Sequence, residues 1–183
     1  MPKYIALLRG INVSGQKKIK MADLRAHLSD LKLGDVQTYI QSGNITFESP
    51  AAPDGHLAAA IKGKILEAYG FEVPTLVVSS EELQHVAVGN PFPQAAAADP
   101  ARMLVTFLET VPEVEAAKAF TRLSFPDEHF ELKGKAVYLH CPKGYGRAKL
   151  NNNFIERKLK VPATTRNWKT ILKLLEMTGQ TQP

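Results

Sequence analysis

Residues 36–48, VQTYIQSGNITFE, decide how this chain folds. Val36–Gln41 and Asn44–Glu48 alternate as two strands that meet at Ser42-Gly43-Asn44, where Gly and Asn tolerate the positive φ of a tight reversal. A hairpin here fixes what must flank it. Upstream, Lys3–Arg9 reads as a strand buried on both faces, with Tyr4, Ala6 and Leu8 on one and Ile5 and Leu7 on the other. Met21–Leu31 then carries Met21, Leu24, Leu28 and Leu31 at helical spacing, with Asp23 in the first turn and Gly34-Asp35 as the stop. Downstream, Asp54 or Gly55 opens a second helix with Leu57, Ile61, Ile65 and Ala68 on one face, closed by Gly70. Glu72–Val78 is a fourth strand, and Pro74 puts it at a sheet edge. Ser79 and Glu82 form a capping box for a short helix. The order is βαββαβ. With right-handed crossovers it predicts an α+β, ferredoxin-like unit: a four-stranded antiparallel sheet with two helices on one face.

Asn90–Pro100, NPFPQAAAADP, holds three prolines and an alanine run and reads as a linker. The expected division is therefore 1–89, a linker over 90–100, and a second, smaller α+β unit over 101–183. In that unit Arg102–Leu108 is a strand, and Thr110 with Glu113 predicts a capped helix through about Phe120. Phe130–Lys133 and Ala136–Cys141 form a hairpin across Gly134-Lys135. Asn153 with Glu156 is the expected cap of a helix holding Phe154, Ile155 and Leu159. Thr165 is the expected cap of a last helix with Trp168, Ile171, Leu172 and Leu175 on one face. Independent domains and one shared core both remain open.

The chain has 183 residues, 44% of them hydrophobic, enough to bury a core. No run of about 18 apolar residues is present, so no membrane contact is expected. The five apolar residues between Lys3 and Arg9 are too few for a signal-peptide core. The single cysteine, Cys141, cannot form an internal disulfide, and this points to a reducing, cytoplasmic setting. Charge is uneven: residues 1–100 hold 9 basic and 10 acidic side chains, residues 101–183 hold 14 and 8. Between Lys143 and Lys173 nine basic residues face one acid, Glu156. A stripe of this density is either a footprint for phosphates or a solvated face.

Three stretches are candidates for ligand contact. Arg9–Met21, RGINVSGQKKIKM, leaves the first strand through two glycines and brings Lys17, Lys18 and Lys20 to a loop before the first helix. Glycines there let backbone N–H groups approach a ligand, although the spacing matches neither common nucleotide-binding glycine motif. Because the first and third strands are central antiparallel neighbours, the end of one lies beside the start of the other. Arg9, Asn12, Ser42 and Asn44 are therefore expected along one edge. The third stretch, Lys143–Arg166, holds KGYGRAKLNNNF and runs into VPATTRNW. Tyr145 between two glycines reads as an exposed aromatic among cations, a pattern suited to single-stranded nucleic acid. Arg147, Arg166 and Asn167 complete the expected contacts.

For catalysis the sequence offers little. His140 and Cys141 are neighbours on a strand and point to opposite faces, so they are not a nucleophile and its base. The five histidines lack metal-ligand spacing; neither metal nor cofactor is expected.

LLRGINV with Gly15 and Lys20, DVQTYIQSGNITF, Asn90-Pro91 and TTRNWKT together resemble the bacterial family called domain of unknown function 1697. The resemblance spans nearly the whole chain and implies an α+β fold of ferredoxin-like character. It implies no activity. Two departures stand out: Ser14-Gly15 where the family reads Gly-Gly, and Lys169 where it reads Asn. Two readings follow. One is a protein that binds an anionic ligand, nucleic acid or a phosphate-bearing small molecule, through its basic, glycine-flanked surface. The other is an enzyme of unknown class with a site where RGINV, SGN and TTRN converge. A protein-interaction module using a free sheet edge is a third.

Overall fold

The computed structural model describes residues 1–50 and 55–183. The chain divides into two compact units, 1–85 with 174–182 and 86–173 with Pro183. Among the described residues, eight strands form two four-stranded antiparallel sheets, accompanied by seven α-helices.

In the first unit, β1 (Lys3–Leu8), α1 (Met21–Leu28), β2 (Gly34–Tyr39), β3 (Asn44–Glu48), α2 (His56–Tyr69) and β4 (Thr75–Ser79) follow in the predicted order. The sheet runs β2-β3-β1-β4, the ferredoxin-like arrangement, with β4 at an edge as Pro74 implied. Tyr4, Ala6, Leu8, Ile45 and Phe47 meet Leu24 and Leu28 of α1 and Ile61 and Ile65 of α2 in one core. Burying each such side chain contributes roughly 1.5–3 kcal/mol. Ile5 and Leu7, on the opposite face of β1, are also fully buried. Helix α1 ends at Leu28 and tightens into a 3-10 turn over Ser29–Leu31. Gly55 precedes α2 with φ +93; Asp54, the alternative opening residue, lies outside the described residues. The Ser79–Glu82 box is formed: Ser79 N–H donates to Glu82 Oε2 at 2.8 Å, and Glu82 N–H donates to Ser79 Oγ at 3.0 Å. It opens α3 (Ser80–Val88) directly from β4.

The stretch 90–100 includes a short helix, α4 (Pro93–Ala98), begun by proline in its first turn. Beyond it lie β5 (Met103–Leu108), α5 (Val114–Thr121), β6 (His129–Lys133), β7 (Ala136–His140), α6 (Asn152–Leu159), β8 (Ala163–Asn167) and α7 (Trp168–Thr178). This sheet runs β6-β7-β5-β8. Strand β8 was not expected, and with it the second unit repeats the first. The register repeats as well: Leu7 opposes Asn44 and Leu8 opposes Thr75, just as Phe107 opposes Ala136 and Leu108 opposes Ala163. Even the flanking bonds correspond. Leu8 N–H donates to Gly43 O at 2.8 Å and Arg9 N–H to Pro74 O at 3.0 Å. Leu108 N–H donates to Lys135 O and Glu109 N–H to Pro162 O, both at 2.9 Å.

Three expected caps are corrected. Thr110 and Glu113 do not form a box: α5 begins at Val114, and Glu113 caps it without a side-chain bond. Pro112 explains this, since it drives the preceding Val111 out of the helical region. Asn153 lies inside α6, and Asn151 is the cap, its Oδ1 accepting from Phe154 N–H at 2.9 Å. Glu156 Oε1 accepts instead from Ala163 N–H at 2.8 Å. Thr165 belongs to β8, and Asn167 Oδ1 accepts from Thr170 N–H at 2.9 Å at the start of α7.

Candidate functional site

The first unit brings the Arg9 loop and the Ser42-Gly43-Asn44 turn together at the end of β1, as strand pairing requires. The joint is built by Asn12. With φ +54 it turns the chain, and its amide nitrogen donates to Ile19 O at 2.9 Å and to Gln41 O at 2.8 Å. Its Oδ1 accepts from Ile19 N–H at 2.8 Å. Asn12 thus spends its side chain tying loop to hairpin. Asn44, fully buried, donates to Tyr39 O at 3.0 Å and Ser42 Oγ at 3.1 Å, so both Asn44 and Ser42 serve the turn. Gly43 has φ +87, and a Cβ there would stand 2.6 Å from Leu8 Cβ. No side chain fits. Lys17 Nζ donates to Glu72 O at 2.7 Å and lies 6.0 Å from the Phe71 ring centroid. Lys18 and Lys20 are exposed, while Arg9 is half-buried.

The second unit holds a cavity of about 360 Å³ at the end of its sheet where β5 and β6 begin and β7 ends. Arg102, Lys143, Arg147 and Lys149 line it, with Asp127 and Glu128 opposite in sign. Each comes from a loop adjoining a strand, so the sheet fixes their relative positions. Lys143 Nζ pairs with Asp127 Oδ1 at 2.7 Å, and Arg102 Nε lies 3.5 Å from Asp99 Oδ2. Arg147 and Lys149 are exposed and have no carboxylate partner among the described residues. Glu128 clamps the loop, its two oxygens accepting from Lys149 N–H at 2.7 Å and Leu150 N–H at 2.9 Å. Cys141 reaches the cavity wall but is 1% exposed. Burial, with the Glu128 carboxylate adding to it, pushes its thiol up to about 11, so at neutral pH it is not a thiolate.

The remaining candidates serve the fold. Tyr145 is not an exposed platform: its ring packs on the second core, and its hydroxyl accepts from Asn152 N–H at 2.8 Å. The glycines around it build a 3-10 turn rather than a free loop. Arg166 lies on β8 at 9% exposure, and burial lowers its pKa to about 10, still protonated at neutral pH. Thr165 Oγ1 donates to Asn152 Oδ1 at 2.8 Å. That uses its one hydrogen, so across the 2.7 Å contact Thr106 Oγ1 is the donor and Thr165 Oγ1 the acceptor. Asn167 is the α7 cap. Of the sequence candidates, Arg147 alone lines the cavity; Arg102, Asp127 and Glu128 were missed. Their signal was available. Pairing β5 and β6 with β7 puts residues 102, 128 and 141 at one sheet end, by the same logic that joined Arg9 to the hairpin turn.

Among the described residues no helix is long and apolar enough to cross a membrane. A family model described as "Protein of unknown function (DUF1697)" matches residues 1–138. Among solved structures, the chain is similar to the conserved bacterial protein SP0830 from Streptococcus pneumoniae. That match has 29% identity and a TM-score of 0.74, and it covers 98% of this chain and 99% of that one. No curated protein matches.

Proposed function

The chain belongs to the DUF1697 family of proteins of unknown function, and we propose that it binds a phosphate-bearing anionic ligand at the basic cavity of its second unit. One observation carries this reading: four cations, Arg102 ahead of β5 and Lys143, Arg147 and Lys149 from the connection between β7 and α6, line a single cavity, and two of them, Arg147 and Lys149, have no carboxylate partner among the described residues. Cations gathered at one point raise the local concentration of anions, and guanidinium groups match phosphate oxygens in pairs. The cavity volume falls within the range of small-molecule sites, ~300–1,000 Å³. Gly144, with φ +96, lets the loop backbone come close to the Arg102 guanidinium.

Calorimetric titration of the intact protein with inorganic phosphate and pyrophosphate, at low and high salt, tests it. Affinity is expected to fall as salt rises. Arg147→Gln and Lys149→Gln should each weaken it about tenfold, the scale of a charge-assisted hydrogen bond. Both residues are exposed, so thermal stability should hardly change. Binding that ignores salt and both substitutions sinks the proposal, as does none.

A further inference from the structure

The same cavity carries a narrower inference, which rests on the anion-binding reading. We infer that its ligand is a small phosphomonoester whose other end bears hydroxyl or amino hydrogens, rather than a nucleic-acid strand.

Charge is the first ground. The lining holds four cations and two carboxylates, an excess of two positive charges. A phosphomonoester carries about −1.5 to −2 at pH 7 and answers that excess. A strand instead spreads its charge in steps of about 3.4 Å along a backbone, which calls for cations in a row and aromatic platforms between them. Here the cations close on one volume, and the nearby tyrosine, Tyr145, packs its ring into the second core.

The carboxylates are the second ground. Ionised Asp and Glu only accept hydrogen bonds. Glu128 is fixed toward the loop by two backbone amides, one to each oxygen, and each oxygen keeps a further lone pair. Asp127 is held by Lys143 at 2.7 Å and is half exposed. To a ligand that is anionic throughout, these two groups are pure repulsion. To one that carries donors beside its phosphate, they become acceptors at a set distance from the cations. A ligand with both ends offers its phosphate to Arg147 and Lys149 and its donors to the two carboxylates.

The test compares inorganic phosphate, glucose phosphate, ribose phosphate, phosphoethanolamine and oligothymidylate by calorimetry on the full chain, with Asp127→Asn and Arg147→Gln variants. At least one donor-bearing monoester should bind about tenfold tighter than inorganic phosphate, the increment of a hydrogen bond to a charged group. Arg147→Gln should weaken all phosphates. Asp127→Asn should tighten inorganic phosphate and weaken the preferred monoester, collapsing the ratio between them. The inference is overturned, with anion binding intact, if Asp127→Asn tightens every ligand alike. It is overturned equally if no monoester exceeds inorganic phosphate, or if oligothymidylate binds tightest. Silence from all five removes the anion-binding reading as well.

Discussion

The guanidinium of Arg102 occupies the space that a side chain on Gly144 would take: a Cβ there would stand 2.7 Å from Arg102 Nη1. Gly144 also sits at φ +96 and ψ 144, a region that only glycine enters freely. Gly144→Ala should therefore cost about 1–3 kcal/mol, mostly from backbone strain, because a long side chain can swing aside. It should also displace Arg102 from the cavity. Thermal melts of Gly144→Ala, Arg102→Ala and the double variant separate the two effects. If the clash contributes, the double variant is less destabilised than the sum of the singles. Strict additivity assigns the whole loss to φ.

Asn12 holds the Arg9 loop to the hairpin through three hydrogen bonds. Asn12→Asp keeps the acceptor for Ile19 N–H but turns a carboxylate oxygen toward the carbonyls of Ile19 and Gln41. The expected loss is about 1–3 kcal/mol in chemical denaturation, with Asn12→Ala similar or smaller. A change below about 0.5 kcal/mol in both would mean the bracket contributes nothing.

Acid should weaken the second unit through His140. Its ring stacks on His129 across the strand pair, with centroids 5.8 Å apart, and lies 6.4 Å from the Phe92 ring. Burial first, and the neighbouring His129 second, lower its pKa. The folded state thus favours the neutral ring. The associated stability is complete above the unfolded value of about 6.5 and is lost as pH falls through that value toward the folded one. Denaturation midpoints measured between about pH 7.5 and pH 5 should decline in the wild type and decline less in His140→Gln.

Cys141 should resist alkylation. Its thiol is buried and pushed up to about 11, so iodoacetamide at neutral pH should modify it only as fast as the second unit opens. Labelling rates that rise in step with added denaturant agree with this; fast labelling of the native protein contradicts it.

The first unit was legible because each of its elements carries a local signal. Apolar residues at helical spacing mark α1 and α2, and glycine and asparagine at the reversal mark the β2–β3 hairpin. Antiparallel pairing then placed the Arg9 loop beside the turn without any knowledge of side-chain contacts. Strand β8 was not legible, because Ala163–Asn167 has no apolar alternation: its buried positions hold Ala163, Thr164 and Arg166. Such a strand is recognised by what accepts its polar atoms, and Thr165 finds Thr106 and Asn152 only once the chain is folded. Tyr145 misled for a related reason. Glycine on either side suggests mobility, yet the hydroxyl's bond to Asn152 N–H is closed by a helix start seven residues away. The cavity required three loops at once, and no short stretch of sequence contains it.

The chain has one tryptophan, and Trp168 is 4% exposed where β8 passes into α7, within the second unit. Its emission therefore reports on the packing where β8 meets α7, while the far-ultraviolet dichroism signal sums over both units. Overlaid unfolding curves from the two signals tell whether the repeats melt as one cooperative block. A single native indole, with no label attached, turns the two-unit architecture into a quantity that can be read.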